Sequence, residues 1–311
     1  MNEHPLVSIV IGTYNGAQFL EEQLRSVLAQ TYTHLEILAI DDGSTDGTVD
    51  ILREYAALDP RIRVVINERN LGFIFNFEKG CKLSKGHWIA LCDQDDYWMP
   101  NKVEKMVMAI GQFPMVYCDS ELCGEDLQPL GKKISDLVHY QSFDDCRQLC
   151  VFSRMYGHAT LITRDLFEKA SPFLKEVPHD GWLAFHATLY GGVSYLPDVL
   201  VKYRQHAGNV FGVVGRRKKK QEKIQLAEKK RKELARVRIR MEAYYRACPD
   251  DQLPQKRLLR ALVSCYRNFS PLNDLRRVWL FLANYRLLLV VKNYSNIRKI
   301  LFCFKMLVKI K

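Results

Sequence analysis

The side chains of this sequence with the plainest capacity for chemistry are the aspartates at positions 93, 95 and 96, in the run Asp93-Gln-Asp-Asp96. Clustered carboxylates repel a phosphate-bearing substrate unless a cation lies between them. A hard divalent ion, Mg²⁺ or Mn²⁺, bound through oxygen with positions left open for phosphate, resolves that conflict. The same run, just ahead of Met99-Pro100, also suits a helix start, where carboxylates meet the positive end of the helix dipole. A second acidic loop, Asp41-Asp42-Gly-Ser-Thr-Asp46, follows another apolar segment. An ionised carboxylate only accepts hydrogen bonds, so Asp41 or Asp42 fits a base ring N–H or a ribose hydroxyl. The plainer role is a turn beside Gly43-Ser44, with Asp46 capping the next helix.

These loops need elements to hold them. Val7–Ile11 is a β-branched run that ends in Gly12-Thr-Tyr-Asn-Gly16, after which Phe19, Leu20, Leu24, Val27 and Leu28 recur at helical spacing. The pattern continues with strands over 35–40, 62–66 and 87–91 and helices over 49–55 and 73–83. Strand and helix in alternation predict βαβ units, a mostly parallel sheet and helices on both faces, a Rossmann-like arrangement. Ligands of such sheets gather at the carboxyl ends of the strands. The loops at 12–15, 41–46, 70–72 and 93–96 would all meet at that edge. Further on, 115–118 and 159–162 read as strands, 179–189 as a helix, and 195–203 as a strand pair broken at Pro197, together completing the same sheet.

Charge divides the chain differently. Residues 1–215 carry 19 Lys and Arg against 28 Asp and Glu, a net of −9, whereas residues 216–311 carry 27 against 7, a net of +20. The stretch 216–240 alone holds 13 basic and 3 acidic residues without Gly or Pro, and predicts a basic helix with Ile224, Leu226, Leu234, Val237 and Ile239 as its apolar positions. Segments 258–265, 275–291 and 297–310 predict amphipathic helices with cationic polar faces. The apolar run 287–291 is far short of the roughly 20 residues a spanning helix needs. Nine cysteines, an odd number without a CxxC pair, predict reduced cytosolic thiols. The start Met1-Asn-Glu-His-Pro5 predicts no secretory leader.

Taken together, Ser8-Ile-Val-Ile-Gly-Thr-Tyr-Asn15, Ile40-Asp-Asp-Gly-Ser-Thr-Asp46, Asn70-Leu-Gly72 and Leu91-Cys-Asp-Gln-Asp-Asp-Tyr-Trp98 closely resemble glycosyltransferase family 2, the inverting GT-A enzymes. The resemblance spans roughly residues 5–212. It implies a GT-A catalytic domain over 1–212, followed by a basic α-helical extension over 213–311. It further implies that Thr13, Tyr14, Asn15, Asp41, Asp42, Asn70 and Gly72 cradle the nucleotide of a nucleotide-sugar donor. The metal would fall to Asp93 and Asp95, with Asp95 the direct ligand, Asp93 also on the donor, and the role of Asp96 left open. Asp180, in Val177-Pro-His-Asp-Gly-Trp-Leu183, matches the place of the general base, although His179 stands where many members have glutamate. Tyr203-Arg-Gln-His206 resembles the segment that closes the catalytic domain, which makes His206 a metal ligand and Arg204 a partner of the donor phosphates. His158 falls on the acceptor side.

Asn70-Leu-Gly-Phe73, His179-Asp180 and Tyr203–His206 resemble a rhamnosyltransferase-like branch, and that resemblance implies dTDP-L-rhamnose as donor and a saccharide or lipid-linked saccharide acceptor in surface polysaccharide synthesis. A UDP-hexose-dependent transferase is the nearest rival, and a membrane-bound scaffold with an inactive sugar site is a further one. A nucleotidyltransferase would call for a Gly-rich, basic phosphate loop, and Gly12–Gly16 has no Lys or Arg until Arg25. The basic segment 216–311 predicts peripheral contact with anionic lipid, on the inner face of the cytoplasmic membrane. Packing as an ordinary helical core or as a homo-oligomer interface is the alternative for positions such as Val278, Trp279, Leu282 and Leu287. Nucleic acid ranks below both, for want of a recognition module.

Overall fold

The computed structural model describes residues 5–153, 155–209, 223–268 and 270–307. The first half runs β1 (Val7–Thr13), α1 (Ala17–Leu28), β2 (Leu35–Asp41), α2 (Thr48–Leu58), β3 (Ile62–Ile66), α3 (Phe73–Leu83), β4 (Trp88–Asp93), β5 (Tyr97–Trp98) and α4 (Lys102–Ile110). The sheet is completed by β6 (Met115–Cys123), β7 (Pro129–Lys133), α5 (Ile134–Leu137), β8 (Thr160–Thr163), α6 (Arg164–Ala170), α7 (His179–Leu189) and β9 (Val193–Arg204). Helices α8 (Lys223–Ala247), α9 (Leu253–Cys265), α10 (Pro271–Leu288) and α11 (Asn296–Phe304) follow.

The strands form one sheet in the order β3-β2-β1-β4-β8-β6-β9-β5, with β7 beside β6. Parallel pairing holds from β3 through β4, as alternating βαβ units require, and again between β6 and β9. Short antiparallel ladders at β4–β8, β6–β8 and β5–β9 join these two parallel regions, so the sheet is mixed while the long ladders remain parallel, as expected. The expected strand pair around Pro197 is instead one strand. Cys118 pairs with Leu196 and Asp119 with Val199, which lets Pro197, lacking an N–H to donate, bulge out of the ladder.

Alternation along β1 sorts the two cores. Val7, Ile9 and Ile11 face Leu20, Leu24, Leu52 and Met106 of α1, α2 and α4, while Val10 joins Phe77 of α3 and Phe185 of α7 on the other side. Glycine makes one approach possible: a Cβ on Gly80 would lie 2.3 Å from Val10 Cγ1, so α3 sits close on the sheet only because position 80 has none.

The helical extension belongs to the second of these cores. Val237, Met241 and Tyr244 of α8, Leu259 and Leu262 of α9, Phe281 of α10 and Phe302 of α11 are buried with residues of α7. Tyr244 stacks on Phe185 with centroids 4.0 Å apart and on Trp182 at 5.8 Å. The predicted basic helix is thus present from Lys223, and its residues 216–222, like the side chains of Ile224 and Leu226, lie outside the described residues. Ile239, expected on the apolar face, is exposed. The described cysteines are all free and buried. No helix among the described residues is long and apolar enough to cross a membrane. Removing the ring in Tyr244→Ala, which leaves a cavity between α7 and α8, will lower the unfolding free energy by about 3 kcal/mol in urea titrations.

Candidate active site

The carboxyl ends of β1, β2 and β4 open on one cavity of about 450 Å³. Its walls include Thr13, Tyr14, Asn15, Asp42, Asn70, Gly72, Asp93, Asp95, His158, His179, Asp180 and His206, so most of the expected residues converge.

The loop after β1 is braced from two sides. Gln94 Oε1 accepts the Tyr14 N–H at 2.8 Å and Gln94 Nε2 donates to the Tyr14 carbonyl at 3.1 Å, an amide clasp between the first loop and the acidic loop. Asn15, at φ 47°, donates its N–H to Ser44 Oγ and accepts from Thr45 N, both at 2.8 Å. Asp42 accepts from Asn67 Nδ2, Leu71 N and Gly72 N, which fixes the Asn70-Leu-Gly72 turn against the cavity. Gly72 has a φ of 80°, which favours glycine at that bend.

Two expected substrate contacts are placed elsewhere. Asp41 is fully buried and spends its oxygens on Thr13 Oγ1, Gly43 N, Ser44 N and Ser44 Oγ at 2.6–3.1 Å, so it shapes the turn and stays off the cavity wall. Arg204 is equally buried. Its Nε donates to the Asp95 carbonyl at 2.8 Å, its Nη2 to Glu22 at 2.6 Å and its Nη1 to the Glu125 carbonyl, and its plane lies over Phe19. With its fork consumed, Arg204 clamps the acidic loop and has no face for a donor phosphate.

The acidic run is no helix cap: α4 starts at Lys102 with Asn101 as its cap residue, and the three aspartates point elsewhere. Asp93 is half-exposed, while Asp96 is fully buried and takes the Arg204 backbone N–H at 3.0 Å on one oxygen. The other oxygen has no aligned donor, with His158 Nδ1 3.2 Å away and Asp93 only 3.5 Å from the same nitrogen. Burial, then the charges of Asp95 and Asp93, push the Asp96 carboxyl well above the usual range. Burial would raise Asp93 as well, but the hydrogen bond and charge of His158 hold it below the ordinary value. Ser120 Oγ, 3.1 Å from His158 Nε2, turns the other ring nitrogen toward the aspartates. Asp93, Asp96 and His158 offer three ligand atoms within 4.8 Å of one another, a grouping that either shares a proton or takes a cation.

His206 Nε2 lies 2.8 Å from Asp95 Oδ2, and its Nδ1 accepts from Gly208 N at 3.2 Å. A cation at Nε2 would displace the hydrogen bond to Asp95. Beneath the cluster, Lys102 Nζ donates to the His158 carbonyl at 2.7 Å over the ring of Trp98, and burial brings its pKa down to about 8.

Across the cavity, α7 opens with His179 and Asp180. Burial pushes the Asp180 carboxyl up to about 7, the Asp93 charge adding to it and the Gly181 N–H at 2.6 Å opposing. His179 lies among Phe73, Phe77 and Phe173, and burial lowers it to about 4. Neither of its ring nitrogens has a partner among the described residues. Asp96 was named from the sequence with its role left open, whereas His179 on the cavity wall, Gln94 as a clasp and His158 beside the aspartates were not expected. Their partners lie across the fold, and only the motif around Gln94 and Asp96 gave a local sign.

An acidic loop at the end of a parallel strand, a cleft beside it and a carboxylate opening a helix opposite, on this mixed α/β sheet, match a GT-A-like glycosyltransferase fold. The Staphylococcus aureus TarS structure, residues 1–349, shares it at a TM-score of 0.58 and 14% identity, over 91% of this chain and 80% of that one. So does the mannosyltransferase PcManGT of Pyrobaculum calidifontis, solved with GDP-Man and Mn²⁺, at a TM-score of 0.55 and 18% identity, over 90% and 72% of the respective chains. The model of glycosyl transferase family 2 matches residues 8–170, just over half of the sequence, and the chain belongs to that family. An uncharacterized glycosyltransferase of Haemophilus influenzae is 30% identical over 227 residues, 68% of this chain and 69% of its own. TuaG of Bacillus subtilis, a candidate teichuronic acid biosynthesis glycosyltransferase, is 37% identical over 135 residues, 43% of this chain and 54% of its own.

The clamp reading of Arg204 makes a direct prediction. Arg204→Met will lower the ligand-free unfolding free energy by at least about 2 kcal/mol, because Glu22 and two carbonyls lose their donor. A residue serving only donor phosphates would leave the ligand-free value unchanged.

Proposed function

We propose that this chain transfers a sugar from a nucleotide-sugar donor to a hydroxyl of a saccharide or lipid-linked saccharide acceptor, with inversion, in the assembly of a surface polysaccharide. The observation that carries the reading is Asp180, held to about 7 on the wall of the same cavity as Asp93 and Asp95. A general base works best with a pKa near the working pH. Asp180 takes the proton of the acceptor hydroxyl as its oxygen attacks the anomeric carbon. The bond to the diphosphate breaks on the opposite face, and the product carries inverted configuration. His179, neutral and with both ring nitrogens unpartnered among the described residues, orients that hydroxyl.

The donor set fits a divalent cation, Mg²⁺ or Mn²⁺. Asp95 with His206 would hold it at the cavity, Asp93 beside them, and the unpartnered oxygen of Asp96 with His158 supports the cluster from below. The ion would supply charge neutralisation for the departing diphosphate. Thr13, Tyr14, Asn15 and the Asp42-braced turn at Asn70–Gly72 would take the nucleoside. Within this class we assign dTDP-L-rhamnose as donor, on the motif resemblance at Asn70–Phe73, His179-Asp180 and Tyr203–His206. TarS, solved with UDP-GlcNAc, keeps a UDP-sugar as the rival.

A panel of dTDP-, UDP- and GDP-sugars with Mn²⁺ or Mg²⁺ tests the reading by thermal shift. One nucleotide class will stabilise the protein, by about 2.7 kcal/mol at a hundredfold excess over Kd, and Asp95→Ala will abolish the effect. Asp180→Asn will keep that stabilisation and lose turnover by roughly 10²-fold or more. Because the base works deprotonated, kcat/KM will fall about tenfold per pH unit below about 7 and level off above it. Metal-independent binding, or a flat pH profile, overturns the corresponding assignment.

A further inference from the structure

The two last helices leave an apolar stripe each on the outside of the molecule. On α10, Leu272, Leu275 and Trp279 follow one another at helical spacing and are exposed, Trp279 to 70%. On α11, Ile297, Leu301 and Phe304 do the same, Ile297 to 72%. These are not stripes awaiting the core of this chain, because each helix already buries its opposite side: Val278, Phe281 and Leu288 of α10, and Phe302 and Cys303 of α11, sit in the core shared with α7. Of the positions open to either role in the sequence, Val278 packs inward and Trp279 points out. Monomeric proteins rarely show neighbouring outward stripes of this size without a use for them.

Charge decides what covers them. From Leu275 to Lys311 the sequence holds nine Lys or Arg and no Asp or Glu. Arg276 and Arg286 on α10, and Arg298 and Lys305 on or just after α11, are exposed beside the stripes. The one carboxylate within the stripe, Asp274 between Leu272 and Leu275, is paired with the buried Arg277, so a second copy seated by two-fold symmetry would bring this cationic rim against itself. An anionic bilayer surface offers what the rim lacks, phosphate charges for the cations and a shallow apolar layer for Leu, Ile, Phe and Trp. Trp is also the residue that favours the headgroup level.

We infer that α10 and α11 form an in-plane membrane-docking surface, in which Leu272, Leu275, Trp279, Ile297, Leu301 and Phe304 enter the headgroup layer of an anionic lipid bilayer and the flanking Arg and Lys pair with lipid phosphates. The docking surface is the helix pair, and the basic stretch 216–240 is not sufficient for it. The inference is independent of the donor and of the reaction proposed above.

The full chain is mixed with vesicles of phosphatidylcholine alone or of phosphatidylcholine with phosphatidylglycerol, and binding is read by flotation and by tryptophan fluorescence. Trp98 and Trp182 are buried and Trp88 is half-buried, which leaves Trp279 as the most exposed indole among the described residues. Expected are at least tenfold stronger binding to the anionic vesicles, loss of it in high salt, a blue shift of emission, and quenching by bromine-labelled acyl chains. The triple variant Leu275→Ser, Trp279→Ser, Leu301→Ser alters only exposed positions and will keep the melting temperature while binding falls at least tenfold. The wild-type quenching stands whether or not that variant folds. Absent binding, equal binding to neutral vesicles, or undiminished binding by the folded triple variant would overturn the inference. So would a dimer in sedimentation that the variant dissolves while neither protein binds vesicles, since a second copy would then cover the stripes.

Discussion

Concentrating negative charge at one edge of a sheet is the constraint around which this molecule is arranged. Asp93 ends β4, Asp95 and Asp96 follow it, and Asp42 follows β2, two strands over. Left alone they would repel one another and any phosphate. The fold answers with cations and donors drawn from far along the chain: Arg204 from the end of β9, His158 from the turn before β8, His206 beyond the last strand and Lys102 at the start of α4. β9, running parallel to β6 and pairing with β5, is the strand that delivers Arg204 to the acidic loop. The compensation is incomplete beneath the cavity, where one oxygen of the buried Asp96 has no aligned donor.

The same constraint separates the roles of residues that look equivalent in sequence. Asp41 and Asp42 are adjacent, yet strand alternation sends the first inward to the turn it organises and the second to the cavity. Arg204 and His206 lie two apart, and again one is spent on the scaffold while the other reaches the site. Burial acts with equal selectivity on α7, where it lifts a carboxyl and lowers an imidazole at consecutive positions. A carboxyl raised toward neutrality and an imidazole held neutral thus arise side by side at one helix start.

The elements of the first half were legible because each is short, local and punctuated: β-branched runs, helical spacing and glycine at the turns place β1 to β4 nearly to the residue. The loops that define the site were legible for the same reason. What could not be read was whatever depends on long-range closure. His158 acquires meaning only when β8 inserts between β4 and β6, and Gln94 only when β1 and β4 lie side by side. The polar residue Arg204 looked like a ligand contact since sequence shows a guanidinium but not the carbonyls that consume it. The basic composition of the last third identified helices correctly and hid their packing, because the residues that dock them on α7 are a few apolar positions among many cations.

The stacking of Tyr244 between the extension and α7 bears on how such chains can diversify. The family model stops at residue 170, before α7 begins, so the helix that carries Asp180 lies outside the matched region together with the extension that supports it. Trp182 and Phe185 on one side and Tyr244 on the other form a single lock and key. Lineages that exchange the extension as a cassette would import a surface that no longer fits the ring system beneath Asp180. A change on one side of this contact therefore calls for a matching change on the other, and the helix that carries Asp180 takes its packing partner from the far end of the chain.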